Sequence, residues 1–116
     1  MPTFPHTAKL TQPAHYRRVF DNPEYKVSNG AFLVLAMPGA TQSSRLGVVV
    51  AKKNIRRAVR RNRIKRLVRE HFRHHPFDKA IDLVVLARSG ADQMDNTGLW
   101  QELDKLWHAL GQKVKS

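Results

Sequence analysis

The chain has 116 residues, 41% of them hydrophobic, enough for one domain with one modest core and too few for separate catalytic and binding domains. Its formal net charge of +12 and pI near 11.0 narrow the partners to nucleic acid, an anionic membrane surface or a large acidic protein. Zero cysteines exclude disulfides and thiolate metal sites and fit a cytoplasmic protein, no apolar run nears the ~18 residues of a membrane span, and the first ten residues lack the apolar core of a signal peptide.

In chain order, residues 1–9, with two prolines, read as a flexible N-terminal arm. A domain over 10–112 and a C-terminal tail over 113–116 follow. Thr11 is a plausible helix cap and Pro13 suits a first turn, which predicts a short helix to about Phe20. Tyr16 and Phe20, four apart, share a face of it, and Asp21-Asn22-Pro23 ends it. Tyr25 to Ser28 reads as a short strand and Asn29-Gly30 as a turn. In the next strand, Ala31 to Met37, the residues Phe32, Val34 and Ala36 face one way and Leu33, Leu35 and Met37 the other. Both faces are apolar, so neither can simply be solvated. After a loop over Pro38 to Ser44, Arg45 to Ala51 is a strand rich in β-branched residues, in which Gly47 marks close packing or a bulge.

A helix is predicted from about Arg57 to His74, with Ile64, Leu67, Val68, His71 and Phe72 as one apolar stripe and Pro76 closing the segment. Ile81 to Ala87 is a buried strand. Ser89-Gly90 starts a loop, Asn96 or Thr97 caps the last helix, and Leu99, Trp100, Leu103, Leu106, Trp107 and Leu110 share one side of that helix. The order α-β-β-β-α-β-α gives one sheet with packed helices, an α/β (α+β) domain.

The charge is concentrated. Between Lys52 and Arg73 stand eleven cations against one acid, Glu70, a net +10 of the chain's +12. A solvated helix face normally interleaves acids, and a membrane-surface helix would turn its apolar stripe to lipid, whereas this stripe is needed for the core. Arg56, Arg57, Arg60, Arg61 and Arg63 would repel one another in isolation, and phosphates are the expected compensation. Asn62 is a poor helix former; its amide suits a ribose or base edge, or is tolerated on an exposed turn. Tyr16 and Phe20 could stack on unpaired bases or belong to the core.

Candidate chemistry is sparse. His71, His74, His75 and Asp78 have metal-like spacing, but His71 lies on the apolar stripe and the other histidines at a helix C-terminus, where imidazolium is favoured, so no metal site is expected. No Ser-His-Asp set, glycine-rich phosphate loop or carboxylate cluster stands out, and Asp78 and Asp82 are too isolated for a two-metal site, so no catalytic residue is assigned. A structural rRNA-binding or ribosomal protein, or a DNA-binding regulator using the basic helix in a major groove, are the rival readings.

The run from Arg45 through Ala51-Lys52-Lys53, then Ala58-Val59-Arg60-Arg61-Asn62-Arg63-Ile64-Lys65-Arg66 to Arg73, and then Asp82 to Arg88, resembles the protein subunit of bacterial ribonuclease P, over about residues 10 to 110. The resemblance implies a single-domain αβββαβα sandwich with a four-stranded sheet and a left-handed βαβ crossover, ribosomal-protein-S5-domain-2-like, against the usual hand. It implies an RNA-binding subunit that assists a catalytic RNA in magnesium-dependent removal of the 5′ leader from precursor tRNA, with Mg2+ used by the RNA and no protein partner or membrane required. By this resemblance Lys52, Lys53, Arg57, Arg61, Asn62, Arg63, Lys65, Arg66 and Arg69 contact the catalytic RNA, and Tyr16, Phe20, Leu33, Leu35 and Arg88 the leader. Two departures stand out: some members have an aromatic residue where this chain has Leu35, and many have a Lys-Lys-x-Gly turn where this chain has Lys52-Lys53-Asn54-Ile55-Arg56-Arg57, whose extra bulk and charge imply a different loop path with added phosphate contacts.

Overall fold

Sheet order follows from which strands can bury two faces. A computed structural model describes residues 10, 13–39, 43–75, 77 and 79–115; the N-terminal arm, Thr11, Pro76 and Asp78 lie outside them. The elements are α1 (Pro13–Asp21), β1 (Tyr25–Ser28), β2 (Phe32–Pro38), β3 (Arg45–Val49), α2 (Ala58–Arg73), β4 (Ile81–Ala87), a 3₁₀ turn (Ser89–Gln93) and α3 (Asn96–Lys115). The four strands form one sheet in the order β1-β2-β4-β3. The β1–β2 and β2–β4 pairs are antiparallel; β3 runs parallel to β4, the two joined through α2. The central strands β2 and β4 carry the longest apolar runs on both faces, and β3 adds Leu46 and Val48 to one and Val49 to the other.

On one face Phe32, Val34, Ala36, Leu83 and Val85 pack with Ile64 and Val68 of α2 and Leu99, Leu103 and Leu110 of α3. On the other, Leu35 and Val84 form a smaller cluster with Leu10 and Val19, flanked by Tyr16, Leu33, Met37 and Leu86. The two-faced reading of β2 therefore holds: α2 and α3 cover one side and α1 part of the other.

Local chemistry sets the connections. Asn29 builds the hairpin turn with its own side chain, whose Oδ1 accepts from the backbone N–H of Ala31 and Phe32, both at 3.0 Å, while its Nδ2 donates to the Glu102 carbonyl on α3 at 3.2 Å. Asp95, rather than Asn96 or Thr97, caps α3: its Oδ1 accepts from Gly98 N–H at 2.8 Å. Ser89–Gln93, expected as loop, is a 3₁₀ turn with Ala91 buried. The expected boundary at residue 112 falls inside α3, since the helix continues to Lys115 and Val114 is buried.

Beneath α1, Asp82 is 1% exposed and ties three elements together. It faces Arg45 across the β3–β4 ladder and accepts two bonds from that guanidinium, at 3.1 and 2.7 Å. Arg18 of α1 adds a third at 2.9 Å and reaches the Pro38 carbonyl at 3.3 Å. The carboxylate thereby holds Arg45 above the ordinary arginine value, chiefly by hydrogen bonding.

His71 is the buried polar residue of the stripe. Its Nδ1 accepts from the Trp107 indole N–H at 2.7 Å, so the neutral ring carries its proton on Nε2, 3.1 Å from the Trp100 carbonyl. Burial, and then the neighbouring His75, push its pKa below the ordinary 6.5. The unfolded chain therefore binds the extra proton first. Stability from this group is complete above pH 6.5 and is lost as pH falls through the lower folded value. Urea unfolding between pH 7.5 and 5 should show declining stability, and His71→Gln should reduce that decline; an equal pH slope in both chains would count against the assignment.

Candidate nucleic-acid interface

The cations of the Lys52–Arg73 segment divide by what holds them. Before α2, the backbone N–H groups of Asn54 and Ile55 both donate to the Ala51 carbonyl at 3.0 Å, Asn54 Nδ2 donates to the Ala87 carbonyl at 3.1 Å, and Ile55 is fully buried. Asparagine and isoleucine thus anchor the loop where a glycine turn was the family expectation. Lys52, Lys53, Arg56 and Arg57 are left exposed on it. Arg57 makes no side-chain cap and α2 has no acid in its first turn, so the positive end of the helix dipole adds to their field.

On α2 itself, two arginines expected to need phosphate are satisfied internally. Arg60 donates to Asp92 Oδ1 at 3.0 Å and to the carbonyls of Ala91, Asp92 and Met94 at 3.2, 2.7 and 2.8 Å, clamping the 3₁₀ turn. Arg61 donates to the carbonyls of Ile55 and Arg56 at 3.1 and 2.7 Å and closes the preceding loop. Their mutual repulsion is offset by acceptors distant in sequence or by the loop backbone, which composition alone could not reveal. Arg73 pairs with Glu70, and hydrogen bonds from His74 first and Arg73 next hold the Glu70 carboxyl below its usual range. Asn62, Arg63 and Arg66 are exposed, and Lys65 and Arg69 half-buried; among the described residues none of these five has a hydrogen-bond or ion-pair partner. They and the exposed loop cations are the groups left available to a polyanion.

The opposite side of the sheet offers a second surface. Tyr16 lies directly over Gly47, where an added Cβ would stand 2.5 Å from its ring, so the glycine is what lets α1 approach β3. Burial raises the pKa of the Tyr16 hydroxyl, and the Arg69 guanidinium and then the Val48 backbone partly oppose that. Phe20 is 40% exposed, one of two large hydrophobic residues so placed among the described residues. Leu35 is buried in the cluster under α1, whereas Leu33 is half-buried. Leu33 and Arg88 line a shallow pocket of about 390 Å³ together with Lys26, Ser28, Asn54 and Leu86. These four were not anticipated. Lys26 and Ser28 alternate with inward Val27, so period-two reading places them on this face; Asn54 comes from the loop before α2 and had no such signal.

His71, His75 and Asp104 bring ligand-type atoms within 4.8 Å of one another. Both ring nitrogens of His71 are already committed, and His75 Nδ1 lies 2.7 Å from the His71 carbonyl. Magnesium takes oxygen ligands, and this set offers a single carboxylate, so the cluster does not suit it. The spacing of His71 and His75 serves packing instead: the rings stack with centroids 4.1 Å apart.

A short α/β sandwich with one cationic helix face and a half-open aromatic face is the architecture of a small nucleic-acid-binding domain, in which no described helix is long and apolar enough to cross a membrane. The family model for ribonuclease P matches residues 4–111. The ribonuclease P protein components of Marinobacter nauticus and Marinomonas sp. are 42% and 44% identical to the chain, over 97% and 96% of it and 86% and 85% of their own lengths. The structure of the Staphylococcus aureus RNase P protein superposes with a TM-score of 0.81 at 30% identity, covering 88% of this chain and 94% of that one. The Thermotoga maritima RNase P protein gives 0.75 at 30%, covering 90% and 96%. The chain belongs to the ribonuclease P protein family, and its role is that of the protein component of that tRNA-processing ribonucleoprotein. This membership sets aside the ribosomal and DNA-regulator readings.

Proposed function

We propose that this chain binds the catalytic RNA of ribonuclease P through the unpartnered cations of α2 and its preceding loop, and the single-stranded 5′ leader of precursor tRNA through the α1 side of the sheet. The RNA performs the phosphodiester hydrolysis, with magnesium held by RNA. The observation that carries this reading is the sorting of the arginines: Arg60 and Arg61 are internally bonded, while Arg63, Arg66, Arg69 and the loop lysines remain available. Phosphates meeting them release counterions and need less magnesium to pack closely. On the other side, Phe20 is an exposed ring, and Arg88 and Lys26 are exposed cations beside the Leu33 pocket, Arg88 donating to the Asn29 carbonyl at 3.1 Å. Stacking on a ring tolerates any base, as many leader sequences require. Such an assembly works where tRNA precursors are made, in the cytoplasm.

The test is reconstitution. Purified chain added to bacterial ribonuclease P RNA should enhance removal of the leader from precursor tRNA at low magnesium, and no enhancement would refute the reading. Phe20→Ala should weaken holoenzyme binding of precursor tRNA by about tenfold, within the ~1–3 kcal/mol of one stacked base, and leave mature tRNA binding unchanged. Equal loss for both would make Phe20 a packing residue.

A further inference from the structure

A groove of about 710 Å³ runs between α2 and the first turns of α3, inside the ~300–1,000 Å³ of small-ligand sites. Its apolar lining comes from Val59, Leu67 and Trp100. Val59, in the first turn of α2, is 74% exposed among cations. A lone exposed valine needs no explanation, but this one shares a wall with an indole. Trp100 is itself held: its ring lies 4.2 Å, centroid to centroid, from that of buried His71, and its carbonyl takes the His71 Nε2 bond. Arg63 and Arg66 also line the groove, the amides of Asn62 and Asn96 add donors and acceptors to it, and its one acid, Glu70, is already paired with Arg73 and His74, which leaves the two arginines to set the sign of the wall.

We propose that this groove seats one unstacked base of the ribonuclease P RNA, packed against Trp100 and Val59, with its flanking phosphates on Arg63 and Arg66. The proposal rests on the RNA-subunit reading above and deepens it. Charge complementarity selects the occupant: a strand carrying phosphates on either side of a flat ring matches cations beside an apolar wall. The groove is continuous with the polyanion surface of α2, so the same RNA reaches both. Asn62 then has a reason to interrupt a run of good helix formers, because its amide can pair with the edge of the seated base.

The deciding substitution is Val59→Ser, at an exposed position where folding is not at stake; Trp100→Leu is the second. In holoenzyme reconstituted from full chain and ribonuclease P RNA, each should weaken RNA binding by about tenfold while the slope of log affinity against log salt stays unchanged, because no phosphate contact is removed. Dimethyl sulfate probing should find an unpaired base protected by the unsubstituted chain and reactive again with either variant, the rest of the footprint persisting. If Val59→Ser binds with unchanged affinity and an unchanged footprint, the base seat is refuted and the subunit reading stands, leaving the groove to another occupant such as an acidic peptide. If the unsubstituted chain fails to bind this RNA at all, the subunit reading itself falls.

Discussion

Asp82→Ala should cost about 3–5 kcal/mol of folding stability, the range for removing one partner of a buried ion pair. The carboxylate is 1% exposed and Arg45, its bidentate partner, only 12%, so deletion leaves a guanidinium with little access to water. Arg18, 40% exposed at its side chain, can turn to solvent and adds less. Urea unfolding should show a lower midpoint with little change in slope. A second substitution, Arg45→Leu, should recover part of the loss by removing the stranded charge. A single Asp82→Ala chain within ~1 kcal/mol of the original would contradict this account. Since Asp82 also anchors α1, leader discrimination should fall with stability in that variant.

The largest effect on binding is expected from Arg63→Ala combined with Arg66→Ala. Each guanidinium is exposed, and neither has a partner among the described residues, so folding should be untouched. The slope of log affinity against log salt should flatten by about 1.4–1.8, taking ~0.7–0.9 per phosphate contact. At moderate salt the loss should be about tenfold or more per contact, from charge-assisted bonds of ~1.5–3 kcal/mol. Arg61→Ala supplies the contrast. Its guanidinium closes the loop by bonding Ile55 and Arg56, so its removal should loosen that loop and lower stability while the salt slope barely moves. Equal flattening in all three positions would show that the internal bonds of Arg61 break on RNA binding.

Residues whose partners are periodic neighbours were readable in advance. Alternation in β2 assigned Phe32 and Val34 to one core and Leu33 and Leu35 to the other, and the α2 stripe identified its five buried residues. Gly47 was legible as a site of close packing or a bulge; the structure decides for close packing, with Tyr16 as the group that approaches it. What escaped depended on distant partners. Asp82 looked isolated because Arg45 and Arg18 are 37 and 64 residues away, and Arg60 looked unpaired because its acceptors lie 31–34 residues downstream. Charge counting weighted every arginine alike, while the structure separates those that brace the fold from those that face outward. Alternation in β1 puts Lys26 and Ser28 on the outer face, but that Asn54 joins them in one pocket, and that α2 and α3 enclose a groove, follows only from tertiary packing.

The position of β4 has a consequence for how the chain is made. It is the last strand in sequence, yet it stands between β2 and β3. While the ribosome is still translating residues before Ile81, the β1–β2 hairpin has an unfilled hydrogen-bonding rim and β3 has no neighbour. The sheet cannot grow strand by strand; it closes when β4 emerges, and the nascent chain is most open to misassembly until then.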